Sequence, residues 1–440
     1  MENQISLQQI NNFSKEYNKD TANKVIENKI TKNGIENTCI NHDIIKENPP
    51  IFNIELPESK RYHQKESHKC WIFAGINTIK HNVAQNLNID IMDLELSDNY
   101  IAFFDKLEKS NNTYENIIAL ENTNLTYIRK EEILKFCVAE GGYWQWFVAI
   151  INKYGIVPID VMPNVIESIN YEKIEAIFTE KVTKDAIYLL ELKNKKENLE
   201  KLRKIKNEFL QENYNLLSKI LGEPKFNFSY EYKDKNNKII SYSTMTSTDF
   251  RDKFLTLNLN DFVSIGNLPM YNKQYDKIYT KKYQGNIYQK SRVTFLNLPV
   301  EDLKELVIKQ LKDGIPVWLG IYHKKFRDKK SGVLDLRLYD YKDMLDFKPL
   351  NKKEALDINN IWLDHAMTFC GVHLVKGKII RWKVEDSKGD EEKANGYYIM
   401  NDNYFDEFVL NVIIDKKYLS NNQLQLLKQK PIEIQVTDSF

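Results

Sequence analysis

A thiol, an imidazole and a carboxylate scattered along a chain can break an amide bond if the fold brings them together. Cys70, in "QKESHKCW", is the candidate nucleophile. The thiolate is the attacking form, and the dipole and unpaired N–H groups of a helix start favour it. Phe73, Ile76, Ile79, Val83 and Leu87 follow at steps of three and four, which predicts an amphipathic helix beginning at Cys70. A nucleophile needs a base, and the base needs a third group to orient it. His365 opens "HAMTFCGVHLV", which reads as a strand leaving a loop, and Asp386 ends the next strand in "WKVEDSKG". Two paired strands would set that carboxylate beside the imidazole. The Gln64 side-chain amide and the Cys70 backbone N–H are candidates to hold an oxyanion. Taken singly these residues say little, since a lone cysteine is more often a small buried hydrophobe. His68, two positions before Cys70, points away from a helix start and reads as a surface or cleft-rim residue.

These side chains need a scaffold. Ser97 is a natural N-cap for a helix carrying Tyr100, Phe103, Phe104 and Leu107. "EGGYWQWFVAIINKYGIVP" opens on two glycines and continues as a helix that Gly155 and Pro158 end. Within 172–222, Leu189, Leu192, Leu199, Leu202, Ile205, Phe209, Leu216 and Ile220 sit among Lys and Glu, the pattern of a helix pair with a solvated face. From about 255 the pattern turns to strands: "GIPVWLGIY", "HAMTFCGVHLV", "IIRWKV" and "GYYIM", with a hairpin turn at Lys376-Gly377. A helical first half and a β-rich second half predict an α+β protein with a cleft between two lobes.

The bulk numbers exclude other classes. A chain of 440 residues allows two or three domains, or one with insertions. With 63 Lys+Arg against 62 Asp+Glu, no global field would recruit nucleic acid or an anionic membrane. The first thirty residues hold no apolar h-region, and the longest apolar stretch, near 146–151, is too short to span a bilayer. A soluble, cytoplasmic protein is expected. Cys39, Cys70, Cys137 and Cys370 form no CxxC pair, so neither a disulfide framework nor a zinc site is expected.

The order Gln…Cys-Trp…His…Asp is that of a papain-type site, and the chain resembles the bleomycin hydrolase and aminopeptidase C family of papain-like cysteine peptidases. The family's nucleophile motif is usually "NQKQSGRCW"; here it reads "YHQKESHKCW". The likeness continues through "ELSDNYIAFFDKLEKSN", "EGGYWQWFVAIINKYGIVPIDVMP", "LKDGIPVWLG", "KSGVLDLRLYDY", "HAMTFCGVHLVKGK" and "GYYIMNDNYFDEFV". The resemblance implies one papain-like unit over 1–440. It would comprise an N-terminal arm (1–60), a helical lobe with the nucleophile (61–170), a helical insertion (171–255), a β-rich lobe with the histidine (256–415) and a C-terminal tail (416–440). It implies Cys70 as nucleophile, His365 as acid and base, and Gln64 in the oxyanion hole. Gly141 and Gly142 would be the glycine pair that meets the substrate backbone. It further implies release of amino-terminal residues from peptides without metal or organic cofactor. A homohexamer is implied too, with the C-terminus lying in each cleft.

Three departures bear on that expectation. "ENSWG" is here "EDSKG", so Asp386 stands for an asparagine, and its charge would raise the histidine pKa. Lys388 stands for a tryptophan that would shield the pair, which predicts a wetter contact. The tail ends "IEIQVTDSF", placing Asp438 and the Phe440 carboxylate where a substrate ammonium would need an anion. The altered tail leaves open an endo- or oligopeptidase of the same fold, and the altered "EDSKG" a weakened oligomeric pseudoenzyme.

Overall fold

The computed structural model describes residues 4–135, 137–388, 396–435 and 438. The nucleophile helix runs over Cys70–Leu87 and lies on the strands Val317–Ile321 and His365–Val375. Its face buries Trp71, Ile72, Phe73, Ile76, Ile79, Val83 and Leu87. Each fully buried side chain of this size contributes roughly 1.5–3 kcal/mol. Directed bonds fix the helix as well. Trp318 Nε1 donates to the Trp71 carbonyl at 3.3 Å, Thr368 Oγ1 to the Ala74 carbonyl at 3.2 Å, and Lys80 Nζ reaches Glu385 at 2.7 Å.

Among the described residues twelve strands make one sheet. Its site-bearing part pairs Val317–Ile321 with His365–Val375, and that strand with Lys378–Glu385, both antiparallel. The register sets His365 opposite Ile321 and Thr368 opposite Glu385. His365 at one strand's start and Asp386 just past the next strand's end therefore share one edge of the sheet. The turn between them is the expected Lys376-Gly377, both with positive φ (49° and 80°), as a two-residue hairpin demands.

The helical lobe also follows the sequence pattern. Ser97 Oγ accepts from the Tyr100 amide at 3.1 Å and starts the helix Asp98–Ala119. The predicted pair is Glu172–Asn194 and Leu199–Leu221, both packed on that helix. Trp144–Tyr154 stops at Gly155, whose φ is 77°. The mixed α+β architecture is as expected.

Two regions differ in detail. The 171–255 segment is not wholly helical: Asn227–Lys233 and Ile239–Thr246 form a separate antiparallel ribbon. Alternate tyrosines (Tyr230, Tyr232, Tyr242) pack on Phe250 and Phe254, and Asp234 Oδ1 accepts from the amides of Asn236 and Lys238 to close the turn. The second is the C-terminal segment, which adds a strand, Ile432–Ile434, parallel to Lys277–Lys281.

Candidate active site

The loop before the nucleophile helix is tightly folded, with Lys65 and His68 at positive φ (51° and 55°). It brings Gln64 against the end of the histidine hairpin. The Gln64 amide donates to the Ser387 carbonyl at 2.7 Å, and Ser387 Oγ donates to Gln64 Oε1 at 2.6 Å. A carboxamide whose oxygen accepts there keeps its NH2 as the donor end. Cys70 is the first residue of its helix, and the N-cap, Lys69, supplies no side-chain cap. The amide of such a residue has no acceptor within its own helix. Lys69 instead turns inward to a buried ion pair with Asp98. His68 is exposed at the surface and lies 3.8 Å from Glu175.

On the opposite wall, His365 Nε2 bonds Asp386 Oδ1 at 2.7 Å, and the Ser387 amide donates to the same oxygen at 2.7 Å. The other imidazole nitrogen is left for Cys70, whose sulfur is near enough to raise the His365 pKa. Burial opposes the imidazolium, but the Asp386 carboxylate and the Cys70 sulfur outweigh it and raise the His365 pKa to about 10. Burial likewise penalises ionised Asp386, yet His365 holds its carboxyl well below the usual range. The contact is not the wet one that Lys388 led us to expect. The Asp386 side chain is 0% exposed and that of His365 9%.

The two glycines do different work. Gly141 has φ 83° with open space where a side chain would project, and its carbonyl accepts from Lys109 Nζ at 3.2 Å. Gly142 is dictated by packing: a Cβ there would lie 2.5 Å from the Trp71 ring. Both line a cleft of about 410 Å³ between the helical lobe and Trp362-Leu363, just ahead of His365. Lys281, from the strand beside the C-terminal segment, lines the same cleft. Asp438 is bound to the buried Lys273 at 2.6 Å, while Phe440 lies outside the described residues.

Of the six sequence candidates, Gln64, Cys70, His365 and Asp386 meet around Ser387 and the imidazole, while Gly141 and Gly142 line the cleft of about 410 Å³. Sequence reading missed His323, Arg327 and Asp364, which surround the histidine. A signal existed: "GIPVWLGIYH" pairs with the histidine strand, and His323 lies two residues past Ile321, the partner of His365.

The Peptidase C1-like family model matches residues 4–440. Aminopeptidase C of Listeria monocytogenes is 33% identical over 100% of this chain and 98% of its own length. Aminopeptidase G of Lactobacillus delbrueckii subsp. lactis is 33% identical over 100% of both chains. The crystal structure of PepW from Lactobacillus rhamnosis superposes with a TM-score of 0.94 at 34% identity, covering 100% of this chain and 99% of that one.

Proposed function

We propose, from the premise that this chain belongs to the Peptidase C1-like family and is a cysteine aminopeptidase, that Cys70 is its nucleophile and His365 its proton carrier. The carrying observation is the single imidazole that Asp386 holds through one nitrogen while the nearby Cys70 sulfur also raises its pKa. In the proposed cycle the Cys70 thiolate adds to the carbonyl carbon of the first peptide bond. The oxyanion that forms is held by the Gln64 NH2 and the Cys70 amide. His365 gives its proton to the leaving nitrogen, the C–N bond breaks, and a thioester remains. Neutral His365 then takes a proton from water, whose oxygen attacks the thioester and releases the free residue. The thiolate and imidazolium are restored. Asp386 keeps its charge throughout, which stabilises the imidazolium and fixes which nitrogen faces Cys70.

Exopeptidase action is the finer part of the proposal. Two features of the C-terminal segment support it. Its strand runs beside Lys277–Lys281, and Lys281 lines the cleft. Asp438 is tied to Lys273, which anchors the segment. The last residues would then close the cleft on the side of the substrate's amino group. Two further parts of the proposal are cytoplasmic location and assembly into a homohexamer. No helix among the described residues is long and apolar enough to cross a membrane. The helix Leu7–Tyr17 buries none of its own residues and exposes Leu7, Ile10, Phe13 and Tyr17, a face suited to a second copy of the chain. Sedimentation at a mass of six chains would bear on that assembly.

The test of the function is hydrolysis of a free-amine peptide amide against its N-acetylated twin. The free-amine substrate should be cut and the blocked one spared, and Cys70→Ala should abolish the cleavage. Truncation after Gln435 should narrow the difference between the two substrates. Equal cleavage of both by the full chain would replace the aminopeptidase reading with an endopeptidase.

A further inference from the structure

His323 lies just past the strand Val317–Ile321 and is 5% exposed. Its ring stacks on that of His365, with centroids 5.0 Å apart and planes at 16°. Three other groups hold it there. Its amide donates to Asp364 Oδ1 at 2.8 Å, the Tyr398 ring meets it edge-on at 5.2 Å, and Arg327 Nη1 lies 3.0 Å from its Nδ1 and 3.4 Å from its Nε2. A guanidinium is always charged and carries no acceptor, so it favours the neutral ring beside it. A His323 nitrogen also lies within 4.8 Å of a nitrogen of His365 and an oxygen of Asp386. Asp386 Oδ2 is buried without a hydrogen-bond partner.

We infer that His323 is a positioning residue for the proposed reaction: its flat, neutral ring covers the His365–Asp386 pair and keeps water from competing for their bond. The inference rests on the reading that His365 serves Cys70. It accounts for a dry pair in a chain where Lys388 stands at the position at which a shielding tryptophan was expected. Arg327 has a defined part in it. Its positive charge beside the ring opposes protonation of His323, which would set a second cation face-to-face on the imidazolium. Burial, the charge of His365 and that of Arg327 all push His323 toward its neutral form.

The charged and titratable groups facing His323 are His365 and Asp364 on the histidine strand and its approach, Asp386 and Lys388 past the neighbouring strand, Arg327 on its own side, and Tyr398. Of these Asp386 favours a proton on His323, whereas His365, Arg327 and Lys388 oppose it. The same donors do not compose a metal site. Imidazole lone pairs lie in the ring plane, and two nearly parallel stacked rings direct theirs alongside one another rather than toward one ion.

Removing the cover has a definite sign. Asp386 and Cys70, unscreened in the dry site, lift His365 from 6.5 to about 10 against the opposing effect of burial. Admitting water therefore moves it back toward 6.5. The test compares His323→Ala, which removes the cover, with His323→Phe, which keeps a flat ring but no nitrogen. Histidine-selective ¹³C NMR gives the His365 midpoint, and steady-state kinetics gives kcat and KM apart. In His323→Ala the midpoint should fall by about one pH unit or more. The kcat should drop roughly tenfold to a hundredfold, with KM little changed. His323→Phe should restore most of both. An unshifted His365 midpoint in a folded His323→Ala protein would overturn the inference. So would a His323→Phe protein as impaired as His323→Ala. The NMR reading decides the role of His323 even if the protein cleaves no peptide. Absent cleavage with the predicted shift would overturn the proposed function alone.

Discussion

Two adjacent carboxylates end the strand Lys378–Glu385, and each holds a cation at 2.7 Å. Glu385 holds Lys80 of the nucleophile helix; Asp386 holds His365. Both members of the first pair have further partners. Lys80 Nζ also reaches Asn77 Oδ1 at 2.7 Å, and Glu385 Oε1 also accepts from Ser59 Oγ at 2.9 Å. Burial lowers the Lys80 pKa despite its partner, and the pair bolts the helix to the sheet. The second pair retains an unpartnered Asp386 oxygen, and its imidazole also feels the Cys70 sulfur. The same charge geometry is structural where both groups are tied to further fixed neighbours and chemical where one proton has a second place to go.

The most severe way to break the comparison is to remove the chemistry and keep the bolt. Cys70→Ala or His365→Ala should cut kcat by about 10⁴-fold or more, leaving the thermal midpoint near that of the parent. Breaking the bolt should do the reverse. Glu385→Ala strands a buried Lys80 and should cost about 3–5 kcal/mol in denaturant unfolding, while protein that remains folded keeps much of its turnover. Gln64→Ala disturbs the opposite wall through Ser387 and should lower kcat by roughly 10²–10³. A smaller loss, with KM carrying the change, would remove Gln64 from the oxyanion site.

Asp386→Asn sharpens the contrast through pH. The imidazolium is the working form, and Asp386 raises its pKa toward about 10. The alkaline limb of kcat/KM should accordingly extend toward that value in the parent and retreat toward neutrality in Asp386→Asn. Identical limbs would uncouple the two side chains. The least effect expected is on stability. His365 is raised in the folded state, so the pair's contribution is complete below the unfolded value of about 6.5 and fades as pH rises through about 10. Asp386 is depressed, so its contribution is present above its unfolded value of about 3.9 and is lost as pH falls below that. Thermal midpoints should show Asp386→Asn most destabilised between those two unfolded values.

Much of this was legible in the sequence because local rules carried it. The three-and-four spacing after Cys70, the Ser97 cap and the Lys376-Gly377 turn each dictate their own conformation and each stands as expected. His365 and Asp386 were legible because one hairpin joins them. Gly142 was read as a contact for substrate, yet its closest constraint is the Trp71 ring, a packing fact that no spacing reveals. The ribbon at Asn227–Thr246 was hidden because its tyrosines serve a local cluster with Phe250 and Phe254. His323 was hidden because its partners, Arg327 apart, come from distant segments.

The central claim is that Cys70 is a nucleophile by virtue of His365. An epoxysuccinyl peptide, which alkylates a thiolate, tests it directly when the modified residue is located by mass spectrometry and activity is followed in parallel. The account predicts one label per chain, on Cys70, with activity lost in step and Cys39, Cys137 and Cys370 unmodified, as their burial requires. In His365→Ala the labelling should slow by about 10²-fold or more. Full labelling of Cys70 with activity intact, or an unchanged labelling rate in His365→Ala, would contradict it.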